Sequence, residues 1–261
     1  MTGAQQPGLV LTLDYPGYEE RPRISNLVAD VPGVEVRHLM THPLPAVPSA
    51  VEYAEALVRE VTADRRVDAV VSYCLASPIA HEVARLTTGR QRCAPILIAL
   101  DGAPCPATTV VDEYRRVLSG FGAPDTEPAV ALSGRAMVDR PRLLLAEMAS
   151  ELRLHVVRAM SGVADEVDEV ALCLVEELVG KAIDWLTQLM AAHNAPFLPW
   201  PGEVLLVRSR DHPFNGPWPQ VPTSRMWSVD CDREDLLRHP HARRLIAEAL
   251  QQRSTDLGKP L

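Results

Sequence analysis

Lysine is almost missing from this chain: all but two of its 26 basic residues are arginine, the exceptions being Lys181 and Lys259. With Ala, Val and Pro abundant, this reads as high-GC coding bias and carries no functional signal. Aromatic residues make up only 5% and net charge is −8. No basic run interleaved with aromatics is present, so nucleic acid is excluded as a partner class. No stretch approaches the roughly 18 uninterrupted apolar residues of a membrane span, so no membrane association is expected. The N-terminus, MTGAQQPG, has neither the basic start nor the apolar run of a secretory signal, and cytoplasmic residence is the expectation. The five cysteines, Cys74, Cys93, Cys105, Cys173 and Cys231, are an odd number at scattered spacings. Without a CxxC or a Cys/His cluster they predict no metal site and no disulfide scaffold. No cofactor is expected either. Four of the cysteines read as small buried apolar residues; Cys74 is a separate case.

What is present is a large apolar fraction, 47% of 261 residues, enough for one sizeable domain spanning 1–261 or one carrying an inserted lid. Short β-type runs alternate with helical patterns, which predicts an α/β fold with a mostly parallel sheet and helices on both faces. The strand candidates are LVLTLDY from Leu9, VEVRHLM from Val34, VDAVVSY from Val67, PILIALD from Pro95, EVLLVRS from Glu203 and RMWSVD from Arg225. Each is a near-continuous apolar run, as strands buried on both faces require. PSAVEYAEALVREV, from Pro48, places Val51, Ala54, Leu57, Val58 and Val61 on one helical face. SPIAHEVARL, from Ser77, opens in the same way. HARRLIAEALQQ, from His241, predicts an amphipathic closing helix followed by a frayed tail. Between about Pro141 and Ala195 the alternation stops and two helical patterns follow one another with no strand between them. That segment is a helical lid insertion or, on the plainer view, an elaborated crossover. Residues Gly120 to Pro128 and Pro196 to Gly202 mark its hinges.

The segment VDAVVSYCLASPIAHEVARL predicts a buried strand ending near Tyr73, a turn of small residues, and a helix running to about Leu86. In a nucleophile elbow, G-x-S-x-G, small flanking residues let the central side chain occupy a strained strand-to-helix turn above the sheet. Here the five positions are Ser72-Tyr73-Cys74-Leu75-Ala76. A nucleophile-capable thiol sits at the centre and small residues replace both glycines. The plainer alternative is a buried core cysteine in an ordinary strand-helix turn.

The longer run CLASPIAHEVAR resembles the S-x-G-G-x-x-A-x-E-x-A-R signature of α/β-hydrolase thioesterases serving polyketide and nonribosomal peptide biosynthesis. Cys74 stands at the serine, Ala76 and Ser77 at the glycines, and Ala80, Glu82, Ala84 and Arg85 follow in register. The resemblance is type II thioesterase-like and covers most of the chain. It implies an α/β-hydrolase fold and a substrate held as an acyl thioester, on an acyl or peptidyl carrier protein or on coenzyme A. It further implies an acid after the strand that follows the elbow helix, where PILIALD ends in Asp101 before Gly102. An acid at the carboxyl edge of a parallel strand lies where open α/β sheets build their sites. Asp211, after EVLLVRSR, is the second candidate. The oxyanion hole takes the Leu75 N–H and, by position, a group from Tyr15, Pro16 and Gly17 in TLDYPGYEE.

The base departs from the family pattern. The histidine of a G-D-H-F-like loop before the closing helix is replaced: aligning CDRE with that loop puts Arg233 at the histidine. His239 and His241 lie a little further on, and His212 follows the preceding strand, so His239 and His212 are the alternative bases. Arginine, with a pKa above about 12, is no general base at neutral pH. It can favour a thiolate, since cysteine pKa values fall to about 3.5–7.5 beside cations. This points to a thioesterase-like enzyme that forms a Cys74 acyl-enzyme, resolved by hydrolysis or by acyl transfer to a nucleophile better than unassisted water. The alternative is a catalytically degenerate thioesterase-fold protein that binds an acyl carrier or small ligand. Acyl chain, acceptor, pathway and oligomeric state have no signature in the sequence.

Overall fold

All six apolar runs form strands, and every pairing between them is parallel. The structure, a computed structural model, describes residues 7–15, 23–59, 61, 65–123, 128–161 and 169–257. By contacts it divides into two compact units. One comprises Met1–Leu44, Ala54–Pro104 and Ala195–Leu261, the other Pro45–Tyr53 and Cys105–Asn194.

The first unit holds the sheet. Its strands are β1 (Gly8–Leu13), β2 (Val34–His38), β3 (Val67–Tyr73), β4 (Ile96–Leu100), β5 (Glu203–Arg208) and β6 (Thr223–Ser228), in spatial order β2-β1-β3-β4-β5-β6. The connections run outward in opposite directions from the β1/β3 pair. That pair is the topological switch point, where open α/β sheets leave a crevice beyond the strand ends. Pairing of Tyr73 with Leu100, and of Leu100 with Val207, brings the residues just beyond β3 and β4 and the end of β5 to one edge. Cys74, Asp101 and Arg208 therefore share that edge.

Burial explains which strands are central. β4 is buried throughout, and β3 and β5 at all but one end residue. β2 and β6 are half-exposed edge strands, which corrects the expectation that all six are buried on both faces. In β6 the run TSRMWS mixes polar and apolar side chains, and Arg225 pairs with Glu203 of β5. Charge on an edge discourages further strand pairing. On one sheet face Val10, Val71, Ile98 and Val207 pack with α1 (Ile24–Val28) and α8 (Pro240–Leu257), which contributes Ala242, Ile246, Ala249 and Leu250. The spacing of those four puts them on one side of the helix. α8 also runs through Leu257, so most of the segment read as a frayed tail is helical.

On the opposite face, reached by the alternate residues of β3 and β4, lies α3 (Ser77–Thr88), with Pro78 in its first turn. Nearly all of α3 is buried, including Glu82, which Arg85 meets at 2.7 Å one turn along the helix. His81 is buried too, within a box of Phe197, Trp200 and Trp218. Its Nδ1 accepts from the Trp218 indole at 3.0 Å, so Nε2 carries the proton and donates to the Leu198 carbonyl at 3.1 Å. Burial lowers the pKa of this imidazole. Its role is to tie two loops to α3.

Helix α2 (Ala50–Val58) follows Ser49, whose hydroxyl accepts from the Glu52 N–H, and is shorter than the run from Pro48 suggested. The second unit contains α4 (Ala107–Gly120), α5 (Gly134–Asp139), α6 (Pro141–Ser161) and α7 (Glu169–His193). Leu144, Met148, Leu152 and Val156 recur every four residues on α6, and Val175, Val179 and Leu186 line the buried side of α7. Arg153 clamps Glu176 across these helices through two hydrogen bonds of 2.6 and 2.8 Å. Among the described residues no helix is long and apolar enough to cross a membrane. Two of the four cysteines read as buried, Cys93 and Cys173, are exposed, whereas Cys105 and Cys231 are buried.

Truncating a fully buried aliphatic side chain destabilises by about 2–5 kcal/mol, and exposed sites typically change by within about 0.5 kcal/mol. Ile246→Ala is expected to lower the denaturant midpoint clearly, and Val170→Ala, at a residue 76% exposed, to leave it nearly unchanged. Equal midpoints would place α8 outside the core.

Candidate functional site

Between β3 and α3 the chain reverses through the short 3-10 turn Cys74–Ala76, of which only Cys74 has a positive φ. Tyr73 is still extended at φ −121°, Cys74 takes φ +55°, and Ser77 is already helical at φ −64°. A non-glycine residue in the left-handed region costs of order 1–3 kcal/mol and persists where its surroundings enforce it. Here the surroundings are tight. Ser72 donates to the Ser77 hydroxyl at 2.9 Å, stitching the strand end to the helix start. Beside them, a Cβ on Gly102 would stand 2.5 Å from Ser77 Oγ and 2.7 Å from the Ala99 side chain, so this position needs glycine. The turn carries Cys74 clear of the sheet, and the thiol remains partly reachable from solvent.

Two groups converge on the Cys74 sulfur. The Leu75 N–H hydrogen-bonds to it and lies where an oxyanion donor follows a nucleophile. Arg233 reaches it from the far side of the sequence, its Nη2 donating at 2.5 Å. Arg233 opens a 3-10 turn, Arg233–Arg238, whose Leu236 and Leu237 are embedded in the sheet-face core. Tyr73, the residue before the nucleophile, donates its hydroxyl to the Arg233 carbonyl at 3.3 Å. Arg210, bridging Asp230 and Asp232 at 2.7 and 3.2 Å, holds the approach to that turn.

The electrostatics correct the expectation of a depressed thiol pKa. Burial raises the Cys74 pKa above its usual value, and that effect wins. The Arg233 charge and the hydrogen bonds from Leu75 and Arg233 pull it down, and Asp101 adds a smaller upward push. Burial likewise opposes the charge on Arg233, but Cys74, Tyr73 and Asp101 outweigh it and raise its pKa. At neutral pH the resting site therefore holds a thiol beside a permanent cation.

Asp101 follows β4, buried, at φ +44°. Its carboxylate accepts from the Ser209 N–H at 2.8 Å and the Ser209 hydroxyl at 2.7 Å. Among the described residues no histidine side chain bonds that carboxylate. His212 instead donates Nε2–H to the Asp101 backbone carbonyl at 2.8 Å and accepts the Phe214 N–H on Nδ1 at 3.2 Å. Both its nitrogens are occupied, which removes it as a base in this arrangement. His239 accepts the His241 N–H on Nδ1 at 3.3 Å and so caps the start of α8. Asp211 is exposed and acts on Arg210. Tyr15 follows β1, while Pro16 and Gly17 lie outside the described residues. Sequence reasoning missed Ser209 and the Tyr73 clamp. The serine directly after EVLLVR was the available signal for the first, and nothing local announced the second. Among the described residues no group of three or more His, Cys, Asp or Glu could hold a metal ion.

Alkylation of Cys74 tests the balance of charges, because the thiolate is the reactive form. A raised pKa means less thiolate at a given pH, so the pH–rate midpoint is expected above that of a model peptide cysteine. Arg233→Gln removes a lowering interaction and moves the midpoint further up. Asp101→Asn removes a raising one and moves it down. Peptide-resolved mass spectrometry with iodoacetamide provides the readout, and shifts of the reverse sign would refute this assignment.

No protein-family model and no curated protein matches the chain. Solved structures do. A four-domain nonribosomal peptide synthetase, holo-AB3403 bound to AMP and glycine, superposes with a TM-score of 0.56 at 16% identity over 95% of this chain. This chain spans 19% of that much longer protein. The Vlm2 thioesterase domain, bound with a dodecadepsipeptide, gives a TM-score of 0.49 at 19% identity, covering 96% of this chain and 94% of its own. The RedJ thioesterase from the prodiginine pathway of Streptomyces coelicolor gives 0.48 at 16% identity, covering 97% and 91%. With its parallel sheet, helices on both faces and the strained turn after β3, the chain has an α/β-hydrolase fold.

Proposed function

We propose that this protein is a thioesterase-like enzyme that takes an acyl group from a thioester onto Cys74, within natural-product biosynthesis of the polyketide or nonribosomal peptide kind. The observation that carries the reading is Cys74 at φ +55° on the strand-to-helix turn, with Arg233 and the Leu75 N–H on its sulfur. The register of CLASPIAHEVAR with the thioesterase signature supports it, as does the likeness in fold. The donor is an acyl thioester on a carrier protein or on coenzyme A.

The chemistry runs in two steps. The Cys74 sulfur bonds to the acyl carbon while the bond from that carbon to the leaving sulfur breaks. The proton lost by Cys74 departs on the released thiol. The developing oxyanion faces the Leu75 N–H, and the Arg233 charge stabilises the sulfur as it becomes anionic. Such preorganised donors act on charge that appears in the transition state. In the second step an acceptor attacks the Cys74 thioester and the thiol reforms. Neither His212 nor His239 is free to activate water, so an amine or thiol acceptor resolves the intermediate faster than water does.

A second reading has its own support. The raised thiol pKa and the engagement of Asp101 by Ser209 both suit a protein that binds an acyl carrier or ligand without turnover. Variants separate the two. Cys74→Ala is expected to abolish release of thiol from an acyl thioester. Cys74→Ser, an alcohol with no base, is expected to lower it by at least about a hundredfold, the scale of general base catalysis. Release of free thiol, followed colorimetrically, reports both. Wild-type-like release by Cys74→Ala would sink the acyl-enzyme reading.

A further inference from the structure

Among the described residues Arg233 is a cation with no carboxylate paired to it. Elsewhere in the described residues several arginines meet carboxylates: Arg85 meets Glu82, Arg153 meets Glu176 and Arg210 meets Asp230. Among the described residues no carboxylate lies within ion-pair distance of Arg233, although Glu234 and Asp235 follow it directly in the chain. Its side-chain partners are the Cys74 sulfur and the Tyr73 hydroxyl, and Asp101 acts on it only through its charge. A guanidinium has five N–H donors in a rigid fork, and contacts to one sulfur and one hydroxyl leave the rest of that fork open. Arg233 is itself exposed, so part of its fork is open to solvent.

We propose that Arg233 also selects the acyl group, and that this site takes thioesters of short dicarboxylic acids, whose free carboxylate pairs with the open edge of the guanidinium. The proposal rests on the acyl-enzyme reading above. Geometry limits the chain length. One terminal nitrogen touches the nucleophilic sulfur, so the remaining N–H groups lie only a few bond lengths from the thioester carbonyl. A carboxylate on a short acyl chain reaches them while its own carbonyl sits on the sulfur; a long chain carries its end past them.

Charge balance gives the second argument. The resting thiol is neutral and acylation leaves a neutral thioester, so at neither stage does the sulfur give the guanidinium an anion. An acyl carboxylate supplies that anion in the bound substrate and in the acyl-enzyme. Arginine is suited to this because its planar fork matches carboxylate geometry with two parallel hydrogen bonds. An acyl group that ends in a methyl group satisfies none of these donors.

The test compares succinyl, monomethyl-succinyl and butyryl thioesters of N-acetylcysteamine. Succinyl and butyryl share a four-carbon chain, and the methyl ester keeps the length while removing the charge. Intact-mass kinetics follow acyl addition to the protein, with Cys74→Ala as background. Acylation by the succinyl compound is expected to be at least tenfold faster than by either neutral one. That preference should collapse in Arg233→Gln, judged by the ratio of rates and not by the absolute rate. Equal rates for the three donors in wild-type protein would overturn the selector role. A companion measurement needs neither thioester chemistry nor a variant: succinate, and not butyramide, is expected to slow alkylation of Cys74 by chloroacetamide. Protection without any acyl mass would retain the anion site and reject the acyl-enzyme reading. Absence of both protection and acyl mass would reject both.

Discussion

The contact between the Arg233 guanidinium and the Cys74 sulfur joins the turn after β3 to the turn after β6, and the chemistry assigned to the site depends on it. The two residues are 159 positions apart in the chain. Cys74 comes from the strained turn after β3. Arg233 comes from a short turn anchored by Leu236 and Leu237 in the core beneath α8. Both must be held in place before either can act. The strain at φ +55° is maintained by Ser72, Ser77 and Gly102, and the arginine by Tyr73 and the braces of Arg210. Folding energy from ordinary apolar packing thus fixes a nucleophile and a cation against each other.

That pairing sets two effects against one another. Burial makes the thiolate less accessible, and the adjacent cation makes it more so. Burial prevails at rest, which keeps the thiol protonated and limits indiscriminate reaction. In the proposed acyl transfer the cation becomes most useful as negative charge develops on sulfur and oxygen. Asp101 enters this exchange only through its charge, because Ser209 takes both of its carboxylate oxygens and His212 takes its backbone carbonyl. On the reading proposed above, such a site accepts an acyl group and is poorly equipped to activate water.

Much of the architecture was legible in the sequence because buried parallel strands are continuous apolar runs. VDAVVSY became β3 with the limits read from its pattern, and the small-residue turn marked the elbow. RMWSVD was legible as a strand but not as an exposed edge, since strand order depends on how the crossovers run. The loops behaved differently. The placement of Arg233 on the thiol followed from the resemblance of CDRE to a histidine loop, not from any local pattern. Ser209 bonds a residue 108 positions earlier in the chain, and no spacing rule announces such a partner. His212 read as a spare base until its two hydrogen bonds were known. The buried His81, unremarked in the sequence, is what holds the Leu198 and Trp218 loops to α3.

The central claim is that the acyl group resides on Cys74 and not on a reactive surface thiol, and Cys93 and Cys173 are exposed enough to compete. Proteolytic peptide mapping after brief incubation with an acyl thioester, quenched in acid, decides this most directly. The account predicts acyl mass on the peptide containing Cys74, with Cys93 and Cys173 unmodified. Acyl mass confined to the surface cysteines, or distributed evenly among the peptides, would contradict it.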